Sequence, residues 1–168
     1  LGESPATIVA LVDETRGADA MVAYRQTVPN VDALNNAAMR FVLTPDSPSE
    51  TLVRVVRAHF NLDRLPDRPF VESQDAEEVY NRYRQSKPGT DQVFVLWEPY
   101  VSKILENPEM HVVIDSSRFR GYIVDVLVAG RDYLFKNEEV VDHVVEAYFR
   151  AGYEQRDKMV PLVLEDAR

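Results

Sequence analysis

Apolar positions along the chain follow two periods by turns. Residues 7–12 (TIVALV) form a short unbroken apolar run, and residues 21–24 are the core of another, so both predict strands. Between them, Asp13-Glu14-Thr15-Arg16-Gly17 is a polar turn whose glycine permits unusual backbone angles. Residues 29–36 read as a loop with a short helical turn, and residues 40–44 (RFVLT) as a buried strand. That strand stops at residues 45–49 (PDSPS), a loop rich in helix-capping types. Leu52, Val55, Val56 and Phe60 then recur at helical spacing and predict one buried face. A proline-bearing loop over 61–69 precedes a short strand at Phe70 and Val71. Ala76, Val79, Tyr80 and Tyr83 repeat helical spacing until Lys87-Pro88-Gly89 breaks it. Residues 92–96 (QVFVL) predict a strand running into Trp97-Glu98-Pro99, followed by a helical stripe of Tyr100, Val101, Ile104 and Leu105. Residues 111–114 and 123–129 read as strands. The last helix opens at Asn137, with Glu138 and Glu139 where acids suit the helix dipole, and its expected buried stripe is Val140, Val141, Val144, Val145, Tyr148 and Phe149.

Strands alternating with helices predict an α/β fold with a mainly parallel sheet. At 168 residues, 45% hydrophobic and 28% charged, the chain is globular and large enough for one domain, or one and a half small ones. A net charge of −9 and a pI near 4.8 argue against nucleic acid and anionic membrane surfaces as partners. They do not bar a small anion, which a helix N-terminus holds through short-range dipoles. The absence of cysteine removes thiol nucleophiles, disulfides, zinc–cysteine sites and iron–sulfur clusters. No apolar run approaches the roughly 20 residues that span a bilayer. Leu1-Gly2-Glu3-Ser4-Pro5 lacks the charged start and apolar core of a signal peptide, and the chain is expected to begin inside a larger protein.

In open α/β sheets, ligands bind where strands end and helices begin. Thr44, Asp46, Ser47 and Ser49 lie at one such junction, where hydroxyls beside unpaired N–H groups either cap the helix or cradle an acidic group. Trp97 and Glu98 lie at a second, where an aromatic ring and a carboxylate either take up a ligand or form a core tryptophan and a first-turn acid. Residues 13–19 either line a cleft or form a turn. Catalytic signals are poor: His59, His111 and His143 are widely spaced, with no HExxH, and there is no GxSxG, Walker or GxGxxG motif. No enzyme activity, metal or cofactor is expected.

Taken in order, these junctions resemble the type 2 periplasmic solute-binding proteins of the nitrate, sulfonate, taurine and thiamine-precursor group. The resemblance rests on Asp13, Thr15 and Gly17-Ala18-Asp19, then residues 44–49, then Trp97-Glu98-Pro99-Tyr100, then the return strand over 122–129 with Asp125. It covers residues 7–151. The sequence departs from the family pattern at Leu34-Asn35-Asn36-Ala37, where a basic residue is lost.

This resemblance implies a three-layer α/β/α lobe of a type 2 periplasmic-binding-protein fold, with hinge strands. Residues 1–27 would be hinge strands and a remnant of lobe one, 28–114 the complete second lobe, and 115–168 the return hinge strand and C-terminal helix of lobe one. The implied function is solute binding for an ABC importer: a small polar, anionic or zwitterionic solute is trapped between lobes and passed to the permease. Asp13, Thr15, Thr44, Asp46, Ser47, Ser49, Trp97, Glu98 and Asp125 are the candidate ligand-binding residues, and the chain alone would bind weakly or not at all. The implied location is periplasmic or extracytoplasmic, with a lipid anchor or fusion to a larger envelope protein left open. The alternatives are a cytoplasmic effector-sensing domain of a transcription regulator and an envelope adaptor that has lost its ligand. A pyrimidine synthase of the same fold is disfavoured, because those enzymes carry a cysteine-rich iron motif.

Overall fold

The computed structural model describes residues 5–166, so residues 1–4, part of the segment read for a signal peptide, lie outside it. The strands are β1 (Ala6–Glu14), β2 (Asp19–Tyr24), β3 (Arg40–Leu43), β4 (Phe70–Glu72), β5 (Gln92–Trp97), β6 (Met110–Asp115) and β7 (Val124–Gly130). The helices are α1 (Pro48–His59), α2 (Ala76–Gln85), α3 (Tyr100–Leu105), α4 (Arg131–Lys136), α5 (Glu138–Glu154) and α6 (Met159–Asp166), and Val31–Leu34 forms a 3-10 turn. By contact the chain divides into two compact units. One is Glu14–Val124, and the other joins the segment ending at Asp13 to that beginning at Asp125.

The first unit is built on a five-stranded sheet in the order β4-β3-β5-β2-β6. β3 is parallel to β4 and β5, whereas β2 is antiparallel to both β5 and β6. The sheet is therefore mainly parallel, with β2 alone running against the rest.

Side chains alternate between faces along each strand, which explains the unbroken apolar runs. Met21, Phe41, Leu43, Val93 and Val95 pack with Leu52, Val53 and Val56 of α1. Ala20, Val22, Val42, Phe94 and Leu96 pack with Ala76 and Val79 of α2 and Val101 and Ile104 of α3. The result is the three-layer α/β/α arrangement read from the sequence.

The expected lobe began at residue 28, whereas this unit begins at Glu14. β2 is buried along its whole length and hydrogen-bonds to strands on both sides, so it belongs to the sheet. Two helical faces also differ from expectation at their ends. Phe60 and Leu105 are each 38% exposed, while Val53, absent from the expected stripe, is buried. Phe60 is the C-cap of α1, where the backbone leaves the helical conformation.

The second unit pairs β1 with β7 in a two-stranded sheet accompanied by α4, α5 and α6. The run in β1 is apolar on successive residues, so both faces of the ribbon carry apolar side chains. Ile8 and Leu11, of opposite parity, are each 63% exposed. On α5 the expected stripe is buried only at Val141, whereas Val140, Val144, Tyr148 and Phe149 are exposed. The stripe has the helical period, but a two-stranded ribbon is too narrow to cover it. α4 and α6 carry no stripe that the sequence reading anticipated.

Candidate ligand-binding site

β3 and β5 run parallel, so their C-terminal ends, and the junctions that follow them, lie at one edge of the sheet. Two adjoining cavities open there, both lined entirely by the Glu14–Val124 unit. The larger, about 450 Å³, is lined by Asp46, Ser47, Glu50, Thr51, Arg54 and the segment Tyr122, Ile123 and Val124. The smaller, about 250 Å³, is lined by Thr15, Ala18, Asp19, Trp97 and Glu98. Pro48, the first residue of α1, lines both.

The loop from β3 into α1 is held in an unusual conformation. Ser47 occupies the N-cap position but makes no side-chain cap bond. Its hydroxyl instead donates to the Thr44 carbonyl at 2.6 Å. Asp46 adopts a left-handed φ of 51°, a costly conformation for a residue with a Cβ, and its N–H donates to Glu50 Oε2 at 2.9 Å. Pro48 suits the first helical position because it brings no N–H of its own. The first-turn N–H groups that follow have no intrahelical acceptor by helix geometry, and the Ser47 side chain leaves them uncapped.

Glu50 tempers the positive end of this helix. Its carboxylate accepts from Asp46 N and from Arg54 Nε, at 2.8 Å for the latter. The Asp46 N–H, then the Arg54 side chain, hold its pKa below the ordinary glutamate value. Glu14 and Glu78 are lowered in the same way, first by the backbone N–H of Gly121 and Gln74 and then by Arg16 and Arg82.

A depressed folded pKa means that the unfolded chain binds protons more readily. The stability these groups contribute is complete above the unfolded value, about 4.3, and is lost as pH falls through the folded values. Glu50→Gln is therefore expected to lose less stability than the parent when urea unfolding is followed from about pH 5 to about pH 3. Equal losses would show that Glu50 is not tied to the loop.

In the smaller cleft, Asp19 on β2 is the register partner of Trp97 on β5, and the Glu98 N–H donates to the Ala18 carbonyl at 3.1 Å. Asp19 is buried, at 4% exposure. The Glu98 carboxylate turns toward α3, accepting from Ser102 N at 3.1 Å and Ser102 Oγ at 2.9 Å.

The structure thus brings together Thr15, Asp46, Ser47, Trp97 and Glu98 among the residues singled out from sequence. Thr44 and Ser49 line neither cavity; their hydroxyls are buried and have no hydrogen-bond partner. Asp13 and Asp125 belong to the other compact unit. Sequence reasoning passed over Glu50, Thr51 and Arg54, whose spacing looks like an ordinary solvated helix turn, and over Tyr122, Ile123 and Val124 as a cavity wall. Among the described residues no cluster of histidine and acidic side chains could hold a metal, and no helix is long and apolar enough to cross a membrane.

Neither a protein-family model nor a curated protein matches the chain. Solved structures do. The periplasmic aliphatic sulphonate binding protein of Escherichia coli matches with a TM-score of 0.72 at 16% identity, over 96% of this chain and 54% of that one. The alkanesulfonate-binding protein of Xanthomonas axonopodis pv. citri, bound to MOPS, matches with a TM-score of 0.68 at 18% identity, over 92% and 52%. A Candida albicans protein with the generic periplasmic binding protein structural fold matches with a TM-score of 0.70 at 14% identity, over 96% and 53%. The chain spans about half the length of these structures. At such identities the likeness is one of fold: the chain has the fold of the periplasmic binding proteins, the type that the order of its motifs resembles.

Proposed function

We propose that this chain is the ligand-gripping part of an extracytoplasmic solute-binding protein serving an ABC importer, and that it performs no covalent chemistry. The observation that carries this reading is the uncapped N-terminus of α1, open to a cavity at the strand ends and adjoining the Trp97 cleft. Preformed concave sites with a few convergent polar groups are the usual form of small-molecule sites. In this reading Glu14–Val124 is the complete gripping lobe, and the β1–β7 unit is part of the other.

The solute we infer is zwitterionic. Uncapped N–H groups suit an acidic head, Trp97 packs on its body, and Asp46 favours a cationic group and disfavours a bare anion, while Glu50 is already paired with Arg54 in the same cavity wall. A sulfonate-binding neighbour holds MOPS, which is an aminosulfonate. In thermal-shift titrations, MOPS and 2-aminoethanesulfonate are expected to raise the melting midpoint more than inorganic sulfate at equal concentration and ionic strength. Equal shifts for all three would rule out the charge selectivity.

The apolar faces of the β1–β7 unit give a separate test of the lobe assignment. If this unit is part of a larger lobe, the 168-residue chain should enhance the fluorescence of an anilinonaphthalene sulfonate dye. Replacing Ile8 and Leu11 with serine should reduce that signal. A parent chain that leaves the dye dark would mean that the unit is already closed.

A further inference from the structure

The larger cavity has one wall, Tyr122 to Val124, that belongs to neither α1 nor a strand of the five-stranded sheet. Buried Phe119 and Ile123 anchor this stretch at both ends, but Arg120, Gly121 and Tyr122 between them are exposed. Tyr122 is 58% exposed, and its ring lies edge-to-face with that of Phe119, centroids 6.4 Å apart. Packing alone therefore leaves the middle of the wall weakly held.

Polar contacts from one short segment supply the rest. Glu14 Oε1 accepts from the Gly121 N–H at 2.5 Å, while Arg16 donates to Glu14 Oε2 through Nε at 2.9 Å and Nη2 at 2.6 Å. Thr15 N donates to the Ile123 carbonyl at 3.0 Å, and Gly17 N to Ser116 Oγ at 2.7 Å. Gly121 has a φ of 76°, a left-handed turn conformation that favours glycine. The bonds from residues 14–17 thus reach both ends and the middle of the 116–123 stretch.

We propose that Glu14, which lines neither cavity, is a positioning residue: its carboxylate holds the Gly121 amide and so fixes the Tyr122–Val124 wall opposite the start of α1. The consequence for ligand binding rests on the solute-binding reading above; the bracing does not.

The test is amide-resolved hydrogen exchange and pH titration of the 168-residue chain by NMR, with no ligand present. In Glu14→Ala the Gly121 amide should exchange severalfold faster and its proton resonance should move upfield, with β3 and β5 amides unchanged. Glu14→Gln, which keeps an acceptor oxygen, should restore part of the protection, and its partial loss alone carries the test if Glu14→Ala does not fold. Arg16→Gln leaves the carboxylate in place and should retain most of it. In the parent, the Gly121 amide shift should follow the protonation of Glu14 in acid. Gly121 exchange that is the same in the parent, Glu14→Ala and Glu14→Gln would overturn the proposal. So would an amide shift blind to Glu14.

Discussion

Replacing Phe94 with alanine is expected to cost about 3–5 kcal/mol of stability, the usual range for emptying a buried phenylalanine site. Phe94 is fully buried on β5, which lies between β3 and β2, and its ring meets Tyr83 edge-on at 5.6 Å. Helices α2 and α3 pack over the same face, so the sheet cannot collapse into the space without moving a helix. Against a typical total of about 5–15 kcal/mol, that loss is a large share. Urea unfolding should show a lower midpoint with little change in slope. Val144→Ala, at a position 56% exposed on α5, should stay within about 0.5 kcal/mol. A Phe94→Ala cost no larger than that of Val144→Ala would contradict the three-layer core.

Ser47→Ala and Trp97→Ala are each expected to weaken aminosulfonate binding by at least about tenfold, or about 1.4 kcal/mol. The Ser47 hydroxyl fastens the loop through the Thr44 carbonyl, and Asp46 just before it keeps its left-handed turn. Losing that bond lets the loop relax and shift the N–H groups that would face the ligand. Trp97 contributes apolar area at the strand end, where Asp19 sits opposite it. Calorimetric or NMR-derived affinities for MOPS, measured on folded variants, decide the matter. If both variants bind as tightly as the parent, the ligand lies elsewhere.

Much of the first unit was legible because its strands carry their own evidence. The run over residues 93–96 is apolar on consecutive positions and is covered on both faces, where helices α1 and α2 present matching stripes, whereas the similar run in β1 leaves Ile8 and Leu11 exposed. The edge where the two cavities open followed from the same alternation of strands and helices. Side-chain roles inside the site were not legible. Ser47 looks like a cap in sequence, but its hydroxyl turns back to the Thr44 carbonyl, beside a left-handed φ at Asp46. Glu98 looks like a ligand group, yet Ser102, one helical turn on, engages both its oxygens. The α5 stripe misled for the opposite reason: periodicity marks a face built for burial without saying what covers it.

The most direct measurement is an NMR titration of the isotope-labelled chain with MOPS, using sulfate as the comparison. The expected result is a saturable shift of amides at Asp46, Ser47, Ser49, Glu50, Trp97, Tyr122 and Val124, with weak affinity because the cavity walls come from one unit alone. Sulfate should move the same amides less. Amides that respond to MOPS only far from the start of α1 and Trp97 would contradict the assignment of this edge as the ligand site.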